Sequence, residues 1–365
     1  MILFNHNLSF QVISLPNDRT ESYLKAIRES INPETQIVMT VVPQQKSDRY
    51  AAIKKLCCIE KPVASQVMCL KTIQSEKKVA SVAQKVILQM NCKLGGELWA
   101  CATPYQKIMV VGIDVFHEKR MRSGSVAGVV ASVNDSMSRF YSTVAVQREG
   151  QEMMDAITVA FMQSLLRYHE TNRHLPEKIV VFRDGVGDGQ LETTKSHEVG
   201  QFLNSFRNVT NVSGLAGFND LKKRLEERIP KDYNPGFNFI VVQKRINTRI
   251  FAASGPKLEN PPPGTVVDKS VTRFNYKDFF LVPMAVNQGT VTPTHFIVLE
   301  ESGKDVLGAD DIQKLAYKLT HMYYNWPGTV RVPAPCQYAH KLVDLVGEHL
   351  HNPHSSKLSD KLFYL

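Results

Sequence analysis

Apolar residues along this chain come in short runs separated by amphipathic stretches, the pattern of alternating strands and helices. Residues 36–43 read as a buried strand closed by proline. Residues 47–56 open on a capping-type serine, Ser47, and continue as a helix. Residues 66–69 form a short strand. Residues 79–92 are helical, with Val82, Val86 and Met90 four apart on one face, and Gly95 and Gly96 end that unit.

A second domain follows with an informative order. Residues 107–114, 124–132 and 140–147 are three strands joined by connections short enough for hairpins. A long helix places Met154, Ile157, Phe161, Leu165 and Tyr168 on one face. A strand at 178–184 comes next. Three strands, a helix and a further strand is the order of ribonuclease H. A helical crossover sets the later strand parallel in the sheet, beside the first. Asp114 and Asp184 then meet at one sheet end.

Beyond this, residues 204–237 are polar, charged and glycine-containing, and read as a surface excursion with a helix at 220–229. Residues 239–243, 279–283 and 295–299 are strands, and residues 261–264 (three prolines and a glycine) a stiff turn. One amphipathic helix carries Ile312, Leu315, Leu319 and Met322. Another begins near Ala339, with Leu342, Leu345 and Val346 on one face. There is no internal repeat and no low-complexity tract.

The 365 residues suit two domains, and 43% hydrophobic content excludes wholesale disorder. A net charge of +9, with Lys and Arg spread along the chain, fits a phosphate-rich partner without identifying one. Cys57, Cys58, Cys69, Cys92, Cys101 and Cys336 make no C-x-x-C pair, and reduced thiols of a cytosolic or nuclear protein are expected. The apolar start after Met1 is too short for a signal peptide. No run reaches membrane-spanning length, so no membrane partner is expected and the sequons at Asn208 and Asn211 carry no meaning.

Asp184 ends one apolar run and opens a glycine-rich turn, residues 185–190; Asp114 ends another run. Either alone is ordinary turn chemistry. Together, carboxylates on the rims of neighbouring strands can hold divalent cations, an arrangement suited to phosphodiester chemistry.

The segments at 111–117 (VGIDVFH), 183–190 (RDGVGDGQ), 293–295 (PTH), 323–328 (YYNWPG), 331–340 (RVPAPCQYAH) and 363–365 (FYL) resemble the PIWI clade of the Argonaute family. The resemblance runs from about residue 36 to 365 and covers two of the four domains usual in that family. It implies an α/β fold: a Rossmann-like MID domain over residues 1–100, seating the guide's 5′ end, then a ribonuclease H-like PIWI domain over 101–365. It further implies a catalytic set of Asp114, the glutamate finger Glu152, Asp184 and His340. Asp114, Asp184 and His340 would hold magnesium, or manganese. Without the resemblance, Glu152 would read as an acid at a helix N-terminus and His340 as a polar residue at a helix start. His117, Asp188 and His295 are left as supporting or structural.

In the first domain, Tyr50 and Lys54 share a helix face at i and i+4. The resemblance adds Gln66 and Lys93, making a pocket for the guide's 5′ phosphate in which the tyrosine stacks on the first base. Gln89 stands where the Argonaute clade has a further lysine. By PIWI analogy, Gln66 and the Leu365 carboxylate become ligands of a structural magnesium. Lys244, Arg245, Arg249, Arg331 and Tyr338 resemble contacts to the guide backbone, which fix position while base pairing reads sequence. The expectation is a small-RNA (piRNA)-guided, magnesium-dependent endoribonuclease acting in germline transposon silencing. Its partners would be a 5′-phosphorylated guide, a complementary target RNA and silencing proteins, in cytoplasmic germ granules or the nucleus. A guide-loaded scaffold that rarely cuts is the alternative. An unguided ribonuclease H is disfavoured by Tyr50, Lys54, Gln66 and Lys93.

Overall fold

The computed structural model describes residues 11–74, 76–116, 125–146, 153–207 and 218–365. Glu152, His117, Asn208 and Asn211 lie outside the described residues. The chain divides into two compact units, Met1–Leu98 with Asp344–Leu365, and Trp99–Val343. The C-terminal segment, grouped with the second domain in the sequence reading, packs in the first unit. There Ser355 N–H donates to the Cys58 carbonyl at 2.9 Å, and the His349 ring meets Tyr50 edge-on with centroids 4.9 Å apart.

The first unit contains helix α1 (Thr20–Ser30), strand β1 (Ile37–Val42), helix α2 (Ser47–Lys55), strand β2 (Ala64–Cys69) and helix α3 (Glu76–Lys93). β1 and β2 pair in parallel, as a helical crossover between them dictates. Tyr23 and Ile27 of α1, Val42, and Ile53 of α2 share one core with Leu56, Cys57 and Val63. Four of the six cysteines are buried and all six are free.

The second unit is built on an eight-stranded sheet. Strands β3 (Ile108–Phe116), β4 (Val126–Ser132) and β5 (Phe140–Val146) form an antiparallel meander, followed by helix α4 (Met153–Asn172) and strand β6 (Lys178–Asp184). Helices α5 (Gly200–Arg207) and α6 (Asn219–Arg228) precede strands β7 (Gly236–Gln243), β8 (Val266–Val267), β9 (Lys277–Leu281) and β10 (Thr294–Ser302). Helices α7 (Ala309–Leu319) and α8 (Ala334–Leu345) close the unit. The sheet order is β8-β9-β10-β7-β6-β3-β4-β5, with β3 parallel to β6 and β6 parallel to β7. The expected neighbourship of β3 and β6 is therefore present.

Alternation along the strands assigns the two faces. Met109, Val111 and Ile113 point to the core shared with Ile157, Phe161, Leu165 and Tyr168 of α4. Gly112 and Asp114 point the other way, toward α8. A Cβ on Gly112 would fall 2.1 Å from the Pro335 carbonyl carbon, and one on Gly128 would fall 2.8 Å from Val343 Cγ1. Two glycines on adjacent strands thus let α8 lie against the sheet.

Helix α1 was not expected, and two further differences from the sequence reading have a visible cause. α8 starts at Ala334, five residues before the expected Ala339, because Pro335 sits in the first turn, where a missing N–H costs nothing. Residues 204–207 are not surface excursion but the end of α5, whose Phe202 and Phe206 are buried against Phe161 and Phe237.

Candidate active site and candidate anion pocket

The register pairs Ile113 with Arg183 across parallel strands. Asp114 and Asp184 are the next step, side by side at one sheet edge on strands about 4.8 Å apart. Asp114 is 7% exposed and Asp184 2%. Burial raises the Asp184 pKa; the Lys244 ammonium lowers it and the Asp114 carboxylate raises it. The turn after Asp184 leaves through Gly185 at φ +83°, and a Cβ there would lie 3.3 Å from Asp114 Oδ1. The two carboxylates and the turn therefore converge.

α8 delivers the third group. His340 Nδ1 lies 2.7 Å from Asp114 Oδ2. One turn earlier, Cys336 is fully buried and its Sγ contacts the Phe182 carbonyl at 3.4 Å. Burial, then the Asp184 and Asp114 carboxylates, push that thiol far up, so it is a neutral floor beneath the acids. Lys244, just past β7, donates to Asp184 Oδ2 at 2.6 Å. Arg183 forms a buried ion pair with Glu198 at 3.0 Å and donates to the Asp184 carbonyl.

The donor chemistry fits a hard divalent cation: two carboxylates and an imidazole on adjoining elements. Among the described residues no three His, Cys, Asp or Glu side chains are placed as a metal cluster. The reason is visible in the bonds. Lys244 takes up one Asp184 oxygen and His340 one Asp114 oxygen, so protein cation and ring hold positions a metal ion would claim.

Of the expected backbone-binding set, Arg245 is exposed beside the site. Arg249 is exposed and bonds the Ile246 and Thr248 carbonyls. Arg331 donates to the Lys244 carbonyl, and burial and then the nearby Arg249 guanidinium lower its pKa. Lys244 differs from expectation, since its ammonium is engaged with Asp184. Tyr338 is corrected outright. It is 0% exposed, its hydroxyl donates to the Met322 carbonyl at 2.8 Å and accepts from Tyr324 N–H at 2.9 Å. It is a core residue, out of reach of a phosphate.

The first unit carries a separate cluster. Tyr50 and Lys54 lie one turn apart on α2, Gln66 on β2, and Lys93 ends α3. The Lys54 ammonium donates to Ser65 O and Oγ, both at 3.0 Å. The Lys93 ammonium donates to Ser65 O at 3.1 Å and Gln66 Oε1 at 2.7 Å. Gln66 Nε2 reaches Gln89 Oε1 at 3.3 Å. Both lysines are 2% exposed, and their acceptors are neutral oxygens. Burial, and for Lys93 the neighbouring Lys54 charge, pull their pKa values down. Burial drives the Tyr50 hydroxyl to about 12, and the Lys54 Nζ sits 5.6 Å from its ring centroid. Leu365 is buried, but among the described residues no bond joins it to Gln66. Two close, buried ammonium groups with no carboxylate partner among the described residues make a candidate site for an anion. Ser65 was missed from the sequence because it contributes chiefly a backbone carbonyl. His349 was missed because the packing that brings it to Tyr50 spans most of the chain.

Comparison with known proteins follows the same lines. Residues 37–351 match the Piwi domain family. The chain is 46% identical over 97% of its length to protein argonaute-3 of Drosophila melanogaster, covering 38% of that protein. It is 45% identical over 96% of its length to Piwi-like protein 1 of Gallus gallus, again covering 38% of the relative. The crystal structure of Drosophila Piwi matches with a TM-score of 0.80 at 34% identity, over 96% of this chain and 45% of that one. Kluyveromyces polysporus Argonaute, solved with a guide RNA, matches with a TM-score of 0.79 at 21% identity over 94% of this chain and 43% of that one, a likeness of fold. The chain thus spans a little over a third of the length of these curated relatives.

Proposed function

The chain belongs to the Piwi family of Argonaute proteins, and from that premise we propose that it is the guide-seating and target-cutting part of a small-RNA-guided endoribonuclease. The observation that carries the reading is the side-by-side placement of Asp114 and Asp184 with His340 bonded to Asp114. Asp114, Asp184 and His340 would hold divalent cations. When bound, such ions activate a water and stabilise the leaving oxygen of the cut strand. The protein's own part is to aim the carboxylates, exclude bulk water and hold the paired RNA in line.

Lys54 and Lys93 seat the guide's 5′ phosphate, with Tyr50 beneath the first base. Arg245, Arg249 and Arg331 hold the guide's backbone without reading its sequence. A piRNA guide, germline silencing, magnesium as the working ion and a cytoplasmic site of action complete the proposal.

The test is guided cleavage. A 5′-phosphorylated guide is loaded, a complementary RNA added, and wild type compared with Asp184→Ala. Guide- and metal-dependent cutting that disappears in the variant supports the enzyme. The Lys244 bond to Asp184 favours a second reading, a guide-bound scaffold in which Asp184 stays paired with Lys244. Tight guide binding with no cutting by wild type would favour it, and cutting indifferent to guide would overturn both.

A further inference from the structure

Asp184 needs more than Lys244 to hold it. The turn after it starts at Gly185 with φ +83°, a residue that constrains the backbone least. Gln243, last residue of β7, reaches into this turn: its Nε2 donates to the Val186 carbonyl at 3.1 Å and to Asp188 Oδ1 at 2.8 Å. Two acceptors face that nitrogen, so the bonding pattern assigns the amide's orientation and turns Oε1 the other way. There it meets His295 Nδ1 at 3.3 Å. The far side of the ring, Nε2, lies 2.6 Å from Asp278 Oδ2.

The chain of bonds closes on itself. Asp278 Oδ1 accepts from the Arg273 backbone N–H at 2.9 Å, and Arg273 Nη2 donates to Asp188 Oδ1 at 2.6 Å. His295 is 4% exposed and Asp278 7%, and Phe280 stacks on the imidazole with centroids 4.2 Å apart. Burial, the larger influence, lowers the His295 pKa below its ordinary value, and the hydrogen bond to Asp278 opposes that shift. The His295–Asp278 end of this network is buried and favours one geometry, while Asp188 at the other end is exposed.

We propose that Gln243 and His295 are positioning residues for Asp184: Gln243 clasps the turn that follows the carboxylate, and His295 holds the Gln243 amide in the orientation that permits it. Gln243 adjoins Lys244, so one two-residue segment grips both the Asp184 side chain and its turn. The inference rests on the nuclease reading, since it assigns these residues to the same site.

The test uses the full chain. Gln243→Glu keeps the size and the oxygen facing His295, but sets a carboxylate against Asp188. Single-turnover guided cleavage should fall on the order of 10- to 100-fold, the effect of a small misplacement of a reacting group. Mn²⁺ affinity measured without RNA should weaken, while affinity for a 5′-phosphorylated guide stays constant. Adding Asp188→Asn to Gln243→Glu supplies a donor where one acceptor was and should recover part of the rate and Mn²⁺ affinity, the bond to the Val186 carbonyl staying lost. His295→Phe should mimic the single Gln243 variant. Unchanged Mn²⁺ affinity and rate in Gln243→Glu, or no recovery in the double variant, overturns the proposal. If wild type binds guide but does not cut, the nuclease reading fails, and the Mn²⁺ measurements still decide whether the clasp positions Asp184.

Discussion

Replacing Lys93 with methionine should make the first unit more stable and its grip on a guide weaker. In the folded chain Lys93 is 2% exposed, close to a second buried ammonium, and bonded to neutral oxygens. Withdrawing such a charge from water costs several kcal/mol even after relaxation. Methionine preserves most of the volume and removes that cost. It also strips a donor from Gln66 Oε1, worth about 1–3 kcal/mol, whereas Ser65 O keeps its bond from Lys54. The difference is a net gain of about 1–3 kcal/mol, visible as several degrees in the melting temperature.

The effect on binding has the opposite sign. A charge-assisted bond to phosphate contributes about 1.5–3 kcal/mol, so affinity for a 5′-phosphorylated guide should fall roughly 10- to 150-fold. A 5′-hydroxyl guide should bind both proteins alike. Thermal melts of the free protein and titrations with the two guides decide the matter. A lower melting temperature, with equal loss for both guides, would mean that Lys93 is a structural cap and that the anion-pocket argument is wrong.

The same two lysines set a pH dependence. Their folded pKa values lie below the ordinary 10.5, so the unfolded chain binds more protons in between, and stability of the free protein rises as pH climbs through that window. Melts in buffers from neutral to alkaline pH should show the rise, smaller in Lys93→Met. Gly112→Ala would bring a methyl 2.1 Å from the Pro335 carbonyl carbon and lift α8, carrying His340 away from Asp114. A loss of about 1–3 kcal/mol in denaturant unfolding, with cleavage abolished, is expected. Lys244→Met leaves Asp184 buried without its cation, so the metal-free protein should melt lower and gain more from added Mg²⁺ than wild type, read by melts across a magnesium series. Tyr338→Phe removes the bonds to the Tyr324 N–H and the Met322 carbonyl and should cost about 1–3 kcal/mol in unfolding, with no change in guide affinity by titration.

Strands β3 and β6 were legible because continuous apolar runs ending in aspartate have few other readings, and the crossover rule made them neighbours. Tyr50 and Lys54 were legible because four residues make one helical turn. Direction and depth were harder to read. Tyr338 occupies a stretch that resembles an RNA-binding motif, yet its hydroxyl is used up inside the core. Lys244 and Arg245 are adjacent and look alike in sequence, but one bonds a buried carboxylate and the other faces solvent. Phe202 and Phe206 are spaced as a helix face, but surrounding polar residues hid the pattern. The placement of 344–365 in the first unit depends on contacts such as Ser355 with Cys58, too distant in sequence for any local signal.

The two clusters differ in how the protein handles like charges before any ligand arrives. At the ends of β3 and β6, Asp184 is paired with the Lys244 ammonium and Asp114 is hydrogen-bonded to His340. A metal ion binding there must displace those bonds, and the gain from its own charge is reduced by their loss. In the first unit, Lys54 and Lys93 have only carbonyl, hydroxyl and amide oxygens. A phosphate entering there meets no competing carboxylate and relieves a repulsion already present. Guide seating would have to draw two buried ammonium groups off neutral oxygens only, whereas a metal ion would compete with the Lys244 ammonium for Asp184. Arg331, which donates to the Lys244 carbonyl, is one of the groups assigned to the guide backbone. Guide contact with Arg331 would thus act on the backbone of the residue that must release Asp184.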